Sequence, residues 1–450
     1  MRATAQNRIP QSADATADSD LPEGWEIVAL PDIADITMGQ SPPGLTYNDR
    51  KEGLPFFQGK TDFGDRFPTA RVWCSAPHKI AKPGEVLISV RAPVGPTNIA
   101  KETCAIGRGL AAIASLGGIP SELILFALRL QEPELALSGT GSTFTAISRK
   151  DLDEIATNLP PLAEQKRIVA KVEDLLERLN ASRERLAKAP LLVKRFRQSV
   201  LAAACSDGES LPLCEVVLDI KYGTAQKCTP APTGSPVLRI PNIGDGSVRL
   251  DDLKYAKLPA RELSALRLVS GDILMIRSNG SVSLVGKTAL VSEREAGFAY
   301  AGYLIRLRAD CGRVLPEYLN LALQTHSVRE QIEIPARSTS GVHNINSTEV
   351  LNLKINLPDL DAQKAAVRRV EALFKLADAI EKRVELATKR ADKLTQAILA
   401  KAFRGELVPT EAELARREGR DYESASVLLG RIRTERGWHE PPPERMTVVQ

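Results

Sequence analysis

Hydrophobic positions in two stretches of the chain recur at alternating steps of three and four residues. The pattern of the first stretch recurs in the second stretch, at a shift of 198 residues. The first set is Val169, Val172, Leu176, Leu179, Arg183 and Leu186, and the second is Val367, Val370, Phe374, Ala377, Glu381 and Val384, each with one charged residue among the hydrophobic ones. This spacing predicts two long helices with a coiled-coil stripe. A second helical run follows each stripe, at 191–204 and 389–402.

A proline and two charges interrupt these patterns. Pro190 has no amide N–H and clashes with the preceding turn, so we expect it to end the first helix. Thr388 stands at the corresponding place in the second copy. Arg183 and Glu381 occupy the same stripe position. They could pair with each other if the helices pack together, or each could be a solvated charge at a helix end.

The repeat extends upstream of the helices. Asn158-Leu-Pro-Pro-Leu-Ala-Glu-Gln-Lys166 aligns with Asn356-Leu-Pro-Asp-Leu-Asp-Ala-Gln-Lys364. Before these motifs, short β-type runs lie at 85–90, 236–240, 272–276 and 288–291, and helical stretches lie at 120–131 and 316–332. These elements, broken by turn residues, predict two mixed α/β domains of similar plan. The chain is therefore interpreted as a tandem duplication.

Composition narrows the class of protein without naming a function. Apolar residues make up 43% of the 450 residues and charged residues 26%, which allows sizeable folded cores. No apolar stretch is long enough to cross a membrane and no signal peptide is recognisable, so we expect neither a membrane span nor export. Six cysteines without a C-x-x-C pair indicate reduced thiols in a cytoplasm. A net charge of +4 permits a nucleic-acid partner.

No catalytic or metal-binding motif is complete. Gly286-Lys287-Thr288 resembles the end of a phosphate-binding loop, but Ser281 stands where that motif needs glycine. Asn158-Leu-Pro-Pro lacks the aromatic residue of an amino-methyltransferase motif, and Glu164-Gln-Lys166 lacks the upstream Pro-Asp of a nuclease site. The four histidines have no metal-ligand spacing. We therefore expect no catalytic residue, no metal and no cofactor on this chain.

Two domains on two similar helices suggest a bivalent binder. A helix over 162–188 spans about 40 Å at ~1.5 Å per residue, which is comparable to the ~34 Å between successive major-groove faces of DNA. The first domain carries 13 basic against 16 acidic residues, whereas the second (counted over 211–356) carries 17 against 14. Double-stranded DNA is thus a plausible partner. The alternative is a two-headed protein–protein scaffold without DNA specificity.

A set of ordered motifs resembles the specificity subunit of type I restriction-modification enzymes. The motifs are Leu21-Pro-Glu-Gly-Trp25, Gly84-Glu-Val-Leu-Ile-Ser-Val-Arg-Ala-Pro-Val-Gly95, Ile106-Gly-Arg-Gly-Leu110, Leu159-Pro-Pro-Leu-Ala-Glu-Gln-Lys-Arg-Ile168, Lys194-Arg-Phe-Arg-Gln-Ser-Val-Leu201, Gly271-Asp-Ile-Leu-Met-Ile-Arg-Ser-Asn-Gly280, Val285-Gly-Lys-Thr288, Phe403-Arg-Gly-Glu-Leu-Val-Pro409 and Ala425-Ser-Val-Leu-Leu-Gly-Arg-Ile432. They span about 21–435, which is nearly the whole chain.

The resemblance implies an α/β (α+β) fold: two similar target-recognition domains joined by two long family-conserved helices, packed as an antiparallel coiled coil in a pseudo-twofold tandem repeat. The expected divisions are a disordered segment at 1–20, recognition domains at 21–158 and 209–356, helical regions at 159–208 and 357–408, and a charged tail at 409–450. Each recognition domain would read one half of a bipartite asymmetric DNA site, and the helices would set the gap.

The same resemblance implies that the partners carry the chemistry. Modification (methyltransferase) subunits would use S-adenosylmethionine to methylate adenine, and motor-nuclease restriction subunits would use ATP and Mg for cleavage. This chain would be non-catalytic. The helix positions expected to pack and to dock these partners are Val169, Val172, Leu176, Leu179, Val367, Val370 and Phe374.

Polar and basic side chains are the candidates for DNA contact, because base edges and phosphates both attract them. In the first domain these are Lys60, Arg91, Ser142 and Thr143. In the second they are Arg239, Asn242, Arg277, Ser278, Asn279, Lys287, Arg337, Ser340, His343 and Asn344. The polar loop 337–344 could be a groove-reading loop or an ordinary surface turn. Trp25 and Phe196 are interpreted as core or subunit contacts rather than base stackers.

Overall fold

The computed structural model describes residues 21–138, 146–333 and 343–437, with the side chain of Ser138 left out. The chain divides into two compact units, each with a mixed α/β fold. Unit 1 comprises Met1–Glu184 and Thr388–Gln450, and unit 2 comprises Arg185–Ala387. Each unit therefore contains one predicted recognition domain together with parts of both helical regions.

Unit 1 is built on an antiparallel four-stranded sheet. Its strands are β1 (Glu26–Ala29), β2 (Ala34–Met38), β3 (Tyr47–Asn48), β4 (Leu54–Phe57), β5 (Trp73–Cys74), β6 (Ile80–Ala81), β7 (Val86–Ser89), β8 (Thr97–Ile99), β9 (Cys104–Ile106), β10 (Leu110–Ser115) and β11 (Ala156–Leu159). Its first helices are α1 (Leu30–Ile33), α2 (Ser121–Ser138) and α3 (Arg149–Asp153). The main sheet has the order β2-β10-β7-β8, a second sheet has the order β3-β5-β4-β9-β6, and β1 pairs with β11.

The long helix α4 (Leu162–Ala204) follows, and unit 2 repeats the plan of unit 1. Its strands are β12 (Glu209–Pro212), β13 (Val217–Tyr222), β14 (Ser235–Leu238), β15 (Gly246–Ser247), β16 (Lys254–Ala256), β17 (Ile273–Ile276), β18 (Ser278–Asn279), β19 (Thr288–Leu290), β20 (Ala299–Tyr300), β21 (Leu304–Ala309), β22 (His343–Asn344) and β23 (Lys354–Leu357). Its helices are α5 (Ala260–Leu266), α6 (Pro316–Leu323), α7 (His326–Glu333) and α8 (Ser347–Leu351).

The sheets of the two units correspond strand for strand over their central part. The order β13-β21-β17-β19 in unit 2 matches β2-β10-β7-β8 in unit 1, and unit 2 adds β15 at the edge. The parallel pair β14–β20 matches β4–β9, and the antiparallel pair β12–β23 matches β1–β11. The duplication predicted from the sequence therefore extends into the strands. Both central strands, β7 and β17, are buried along their whole length because helices and a second sheet cover them.

The two long helices are each 43 residues, and their ends are offset by the repeat length. Helix α9 (Leu360–Ala402) corresponds residue for residue to α4. The prediction that Pro190 ends the first helix is wrong, because α4 continues through it. Pro190 is exposed, so water can hydrate the carbonyl that loses its backbone partner. The apolar stripe on either side of the proline supplies the packing that keeps the helix continuous.

Within each unit, a segment of α4 packs against an antiparallel segment of α9. In unit 1, Val172 of α4 lies in the same core as Leu399 and Ala402 of α9. In unit 2, Leu201 of α4 packs with Val370 of α9. The predicted stripe positions Val169, Leu176, Leu179, Val367 and Phe374 are buried or half-buried at these contacts.

The two charges in the stripes pair inside their own units rather than with each other. Arg183 donates to the carbonyl of Ala391 at 2.8 Å and to Thr395 Oγ1 at 3.2 Å. Glu381 accepts from Arg197 at 3.0 Å. Because Thr395 is the repeat counterpart of Arg197, the two contacts are related by the duplication. The mutual pairing expected as one alternative is therefore wrong. Neither charge lies at a helix end, although Glu381 remains exposed.

The asparagine that opens each helix motif binds the end of the other long helix. Asn158 Nδ2 donates to the carbonyl of Phe403, just after α9, at 2.8 Å. Asn356 Nδ2 donates to the carbonyls of Cys205 and Ser206, just after α4, at 3.2 and 3.0 Å. Carbonyls at a helix C-terminus lack intrahelical partners. The Asn-Leu-Pro sequence thus serves as a C-terminal cap in both units.

The segment after α9 is part of the core of unit 1. Helices α10 (Glu411–Glu418) and α11 (Ala425–Glu435) complete the described chain. Leu428 and Ile432 of α11 are buried in the same core as Leu30 and Ile33 of α1. Arg167 of α4 binds Glu411 of α10 at 2.6 Å. A charged tail at 409–450 is thus an incomplete description, because its apolar positions at 425–432 pack against the fold.

Candidate nucleic-acid interface

Unit 2 contains a cavity of about 820 Å³ at one end of its main sheet. Four cationic side chains line it, namely Lys227, Arg239, Lys254 and Arg277. Among the residues that the structure describes, no carboxylate lines this cavity. Tyr222 and Tyr303 also line it, and both rings are exposed, Tyr303 to 63%. An anionic ligand with flat aromatic surfaces fits this combination of charge and rings.

Arg277 is held in a defined orientation at the end of β17. Its guanidinium lies over the ring of Tyr222, with 4.5 Å between the guanidinium carbon and the ring centroid. Its Nη1 donates to the carbonyl of Gly302 at 3.3 Å. Its Nε is buried and has no hydrogen-bond partner among the described residues. Nη2 has no partner among the described residues and is not buried, so the Nη1–Nη2 end of the guanidinium is the part that a ligand can reach.

Arg239 follows β14 and is partly neutralised. Its Nη2 donates to the backbone carbonyl and to Oδ2 of Asp252, each at 2.7 Å. This contact lowers the pKa of the Asp252 carboxyl below its ordinary value. The Nε of Arg239 is buried without a partner in the described part of the chain. The cation-rich cavity thus contains two arginines that each retain a free donor.

Four of the sequence-predicted residues come together beside Arg277. Ser278 pairs with Asn344 and Asn279 pairs with His343 in the short antiparallel ribbon β18–β22. The amide of Ile345 donates to the carbonyl of Arg277 at 2.9 Å, which joins the ribbon to the cavity. The predicted residues Arg337 and Ser340 precede β22 and lie outside the described residues, as do Ser142 and Thr143 of unit 1.

Two other predicted residues of unit 2 have partners away from the cavity. Asn242 is fully buried, and its amide donates to the carbonyls of Arg249 and Asp251, both at 2.9 Å. Its Oδ1 accepts from the amide of Arg239 at 2.9 Å. The assignment of Asn242 to DNA contact is therefore wrong, because the side chain closes a turn and is saturated. Lys287 binds Asp245 at 3.0 Å, which lowers the pKa of that carboxyl.

The predicted residues of unit 1 do not share one cavity. Lys60 is exposed and lines a smaller cavity of about 340 Å³, together with Arg129 and Arg183. Arg91 is exposed and forms an isolated bridge with Ala146. That bridge is the counterpart of the Ser278–Asn344 pair in unit 2. Arg91 therefore flanks the place in unit 1 that corresponds to the unit 2 cavity.

Matching backbone hydrogen bonds identify this corresponding place. In unit 2 the amide of Arg277 donates to the carbonyl of Tyr303 at 3.0 Å. In unit 1 the amide of Val90 donates to the carbonyl of Gly109 at 2.9 Å. Val90 also accepts from Ile147, as Arg277 accepts from Ile345. Arg277 and Tyr303 therefore correspond to Val90 and Gly109.

The same comparison extends to two further positions of the cavity wall. Met38 pairs with Ala111 as Tyr222 pairs with Ile305, so Tyr222 corresponds to Met38. Gln58 follows β4 as Arg239 follows β14. The backbone amide of Gln58 donates to Asp62 Oδ2 at 2.8 Å, just as the amide of Arg239 donates to Asn242 Oδ1. Unit 1 therefore presents an exposed glutamine where unit 2 presents an arginine.

Sequence reasoning missed the tyrosines and lysines of the cavity. Tyr222, Tyr303, Lys227 and Lys254 come from four separate segments, so no spacing in the sequence joins them. The only local signal is an aromatic residue beside glycine at a strand end, in Tyr222-Gly223 and Gly302-Tyr303. In the described ranges, no group of three metal-ligating side chains occurs and no helix is long and apolar enough to span a membrane.

Comparisons with known proteins find related sequences and solved structures. The family model for the type I restriction modification DNA specificity domain matches residues 22–189. The EcoKI type I restriction enzyme specificity subunit of Escherichia coli K12 is 32% identical over 327 residues, which cover 68% of this chain and 69% of that protein. The EcoBI specificity subunit of Escherichia coli is 27% identical, covering 92% of this chain and 93% of that one. The solved HsdS subunit of Thermoanaerobacter tengcongensis is 51% identical over 37% of this chain and 40% of its own, with a TM-score of 0.34.

Proposed function

Because the chain belongs to the family of type I restriction enzyme specificity subunits, we propose that each of its units reads one half of a bipartite, asymmetric DNA site. The chain is the sequence-specificity component of a type I restriction-modification system and is not itself catalytic. The unit 2 cavity is the main structural support for this proposal. Its four cations, its two exposed tyrosines and the absence of a lining carboxylate among the described residues suit a polyanion with exposed base edges.

The partners supply the chemistry in this proposal. Modification subunits that bind S-adenosylmethionine dock on the long helices and methylate an adenine in each half-site. Motor-nuclease restriction subunits join them and use ATP and Mg to translocate and cleave unmodified DNA. The assembly works in the cytoplasm. Buried stripe residues such as Val172 and Val370 pack the long helices into the fold and so stabilise the helix surfaces on which these subunits dock.

The scaffold alternative has no support. It predicts relatives that tether proteins, whereas the EcoKI and EcoBI proteins to which this chain is similar are specificity subunits. It also predicts domains without a basic groove, whereas unit 2 has a cavity with only cationic and neutral lining residues in the described part of the chain.

A base-resolution map of modified adenines in the host genome, with and without the gene, tests the proposed function. The expected result is that one gapped methyladenine motif disappears when the gene is removed. A genome in which the partner subunits are expressed and the set of modified sites does not depend on this chain would contradict the proposal.

The long helices are proposed to set the gap between the half-sites. Four residues inserted after Lys188 in α4 lengthen the helix by about 6 Å at ~1.5 Å per residue. We expect the tolerated gap to lengthen while both half-site sequences stay the same. The same four residues inserted after Lys101, in an exposed turn of unit 1, serve as the control and leave the gap unchanged. Altered half-site sequences would show that the helices do not act as a spacer.

A further inference from the structure

We propose that Arg277 reads a guanine in the half-site of unit 2, and that Tyr222 is the positioning residue that orients it. The inference rests on the proposed function, since it assigns a base to one residue of that interface. It goes beyond it by naming the base, the reading residue and the half of the site affected.

The geometry of Arg277 suits a two-bond contact. The Tyr222 ring stacks on the guanidinium, and the carbonyl of Gly302 accepts one of the two N–H groups of Nη1. Nε is buried, whereas Nη2 has no partner in the described ranges and is not buried, so an N–H of Nη2 and the remaining N–H of Nη1 form the edge that can meet a ligand. Two parallel N–H groups on one edge match O6 and N7 of guanine in the major groove, which is the commonest specific arginine–base contact. A ligand that offers two adjacent acceptors therefore completes the site.

A base explains this arrangement better than a phosphate does. A phosphate contact needs positive charge but no fixed plane, and the lysines 227 and 254 already supply charge at the cavity wall. Stacking on a ring and a carbonyl contact both restrict rotation of the guanidinium. A guanidinium that is already held in one orientation loses less entropy when it forms directional hydrogen bonds to a base. Arg239 is less suited to the same task because Asp252 binds its Nη2.

Unit 1 has no equivalent of this pair. Its counterparts are Val90, which is buried, and Met38. Neither side chain can donate a hydrogen bond to a base. The guanine contact is therefore confined to the half-site that unit 2 reads.

The test is a modified-adenine map of cells that express the chain with its modification subunits but without the restriction subunit. The variant is Arg277→Gln, and the matched control is Arg294→Gln, an exposed arginine of unit 2 outside the cavity. We expect the wild-type motif to contain a guanine in one half that the variant no longer requires. Discrimination at that pair falls by about 10-fold or more, the range expected for loss of one bidentate contact. The other half and the control map stay as in the wild type.

Two outcomes overturn the assignment. One is an unchanged motif in Arg277→Gln, and the other is a relaxed position that is not a G·C pair. A uniform loss of modification at all sites in Arg277→Gln, with wild-type behaviour in Arg277→Lys, identifies a phosphate contact instead. If the map of cells with the wild-type chain contained no gapped methyladenine motif, that result would contradict the proposed function rather than this inference.

Two variants of Tyr222 separate the role of its ring from that of its hydroxyl. The hydroxyl accepts from the amide of Ser347 at 2.8 Å, and both Tyr222→Phe and Tyr222→Leu remove this contact. Only Tyr222→Leu also removes the ring beneath Arg277. We expect Tyr222→Leu to relax the same G·C pair as Arg277→Gln, and Tyr222→Phe to keep it. Equal motifs in the two variants would show that the ring does not position Arg277.

Discussion

The two units share a backbone and differ in the side chains at the same place. Val90 and Arg277 make matching backbone hydrogen bonds, yet one is a buried aliphatic residue and the other a stacked guanidinium. Gly109 likewise corresponds to Tyr303. Strand pairing and turns are therefore common to both units, whereas the cavity wall is specific to each. A duplicated protein can keep one fold and read two different sequences in this way.

The two units also differ in what stabilises them. Helix α11 completes the core of unit 1, and the described part of unit 2 has no helix in the corresponding place. Leu428→Ala removes a fully buried side chain, so we expect a loss of about 2–5 kcal/mol in the free energy of unfolding of unit 1. Val427→Ala, at an exposed position of the same helix, is the control. Urea unfolding of the full chain measures both, and equal curves would show that α11 does not support the unit 1 core.

The Gly109–Tyr303 difference has a steric basis. A Cβ at Gly109 would lie 2.1 Å from the carbonyl oxygen of Gln58, so unit 1 cannot accept a side chain there. We expect Gly109→Ala to destabilise unit 1 by about 1–3 kcal/mol, the usual cost of forcing extra volume into a packed site. Gly59→Ala, where a Cβ meets nothing within 4 Å, should be close to neutral. The same thermal unfolding curve for both variants would show that unit 1 has room for a side chain at Gly109.

The acidic residue that starts the central strand is paired in unit 2. Asp272 is buried and accepts from Nε and Nη2 of Arg308, both at 2.8 Å. We expect Asp272→Asn to destabilise unit 2 by about 1–2 kcal/mol, because charge-assisted hydrogen bonds are lost while the volume is kept. Asp251→Asn, at an exposed carboxylate of the same unit, is the control for a charge change alone. Unfolding that does not distinguish Asp272→Asn from this control would show that the pair adds no stability.

The counterpart in unit 1, Glu85, gives the smallest expected effect, and this effect depends on pH. Burial raises the pKa of the Glu85 carboxyl above its ordinary value, so the folded state favours the protonated form. Stability from this group is therefore lost as pH rises above the unfolded-state pKa of about 4.3. Glu85→Gln should be slightly more stable than the wild type at pH 7, and the difference should vanish as pH falls toward 4. A difference independent of pH would contradict the assignment to this carboxyl.

Local patterns predicted the helices and the repeat, since their signal lies in neighbouring residues. The helical runs ending at 204 and 402 agree with the ends of α4 and α9. Pro190 misled the prediction because packing on both sides outweighs one lost hydrogen bond at an exposed position. The unit 2 cavity could not be predicted from spacing. Strand order alone brings together Tyr222, Arg239, Arg277 and Tyr303. Asn242 is assigned to DNA contact from the sequence because its residue type does not reveal that its amide bonds the carbonyls of Arg249 and Asp251.

The central claim is that each unit reads its own half of the site through the corresponding wall of its fold. It is tested most directly by comparing modified-adenine maps for two variants, Gln58→Ala in unit 1 and Arg277→Gln in unit 2. The account predicts that each variant relaxes one half of the gapped motif, that the two halves differ, and that the gap length stays the same. Relaxation of the same half by both variants, or of neither half by either, would contradict it.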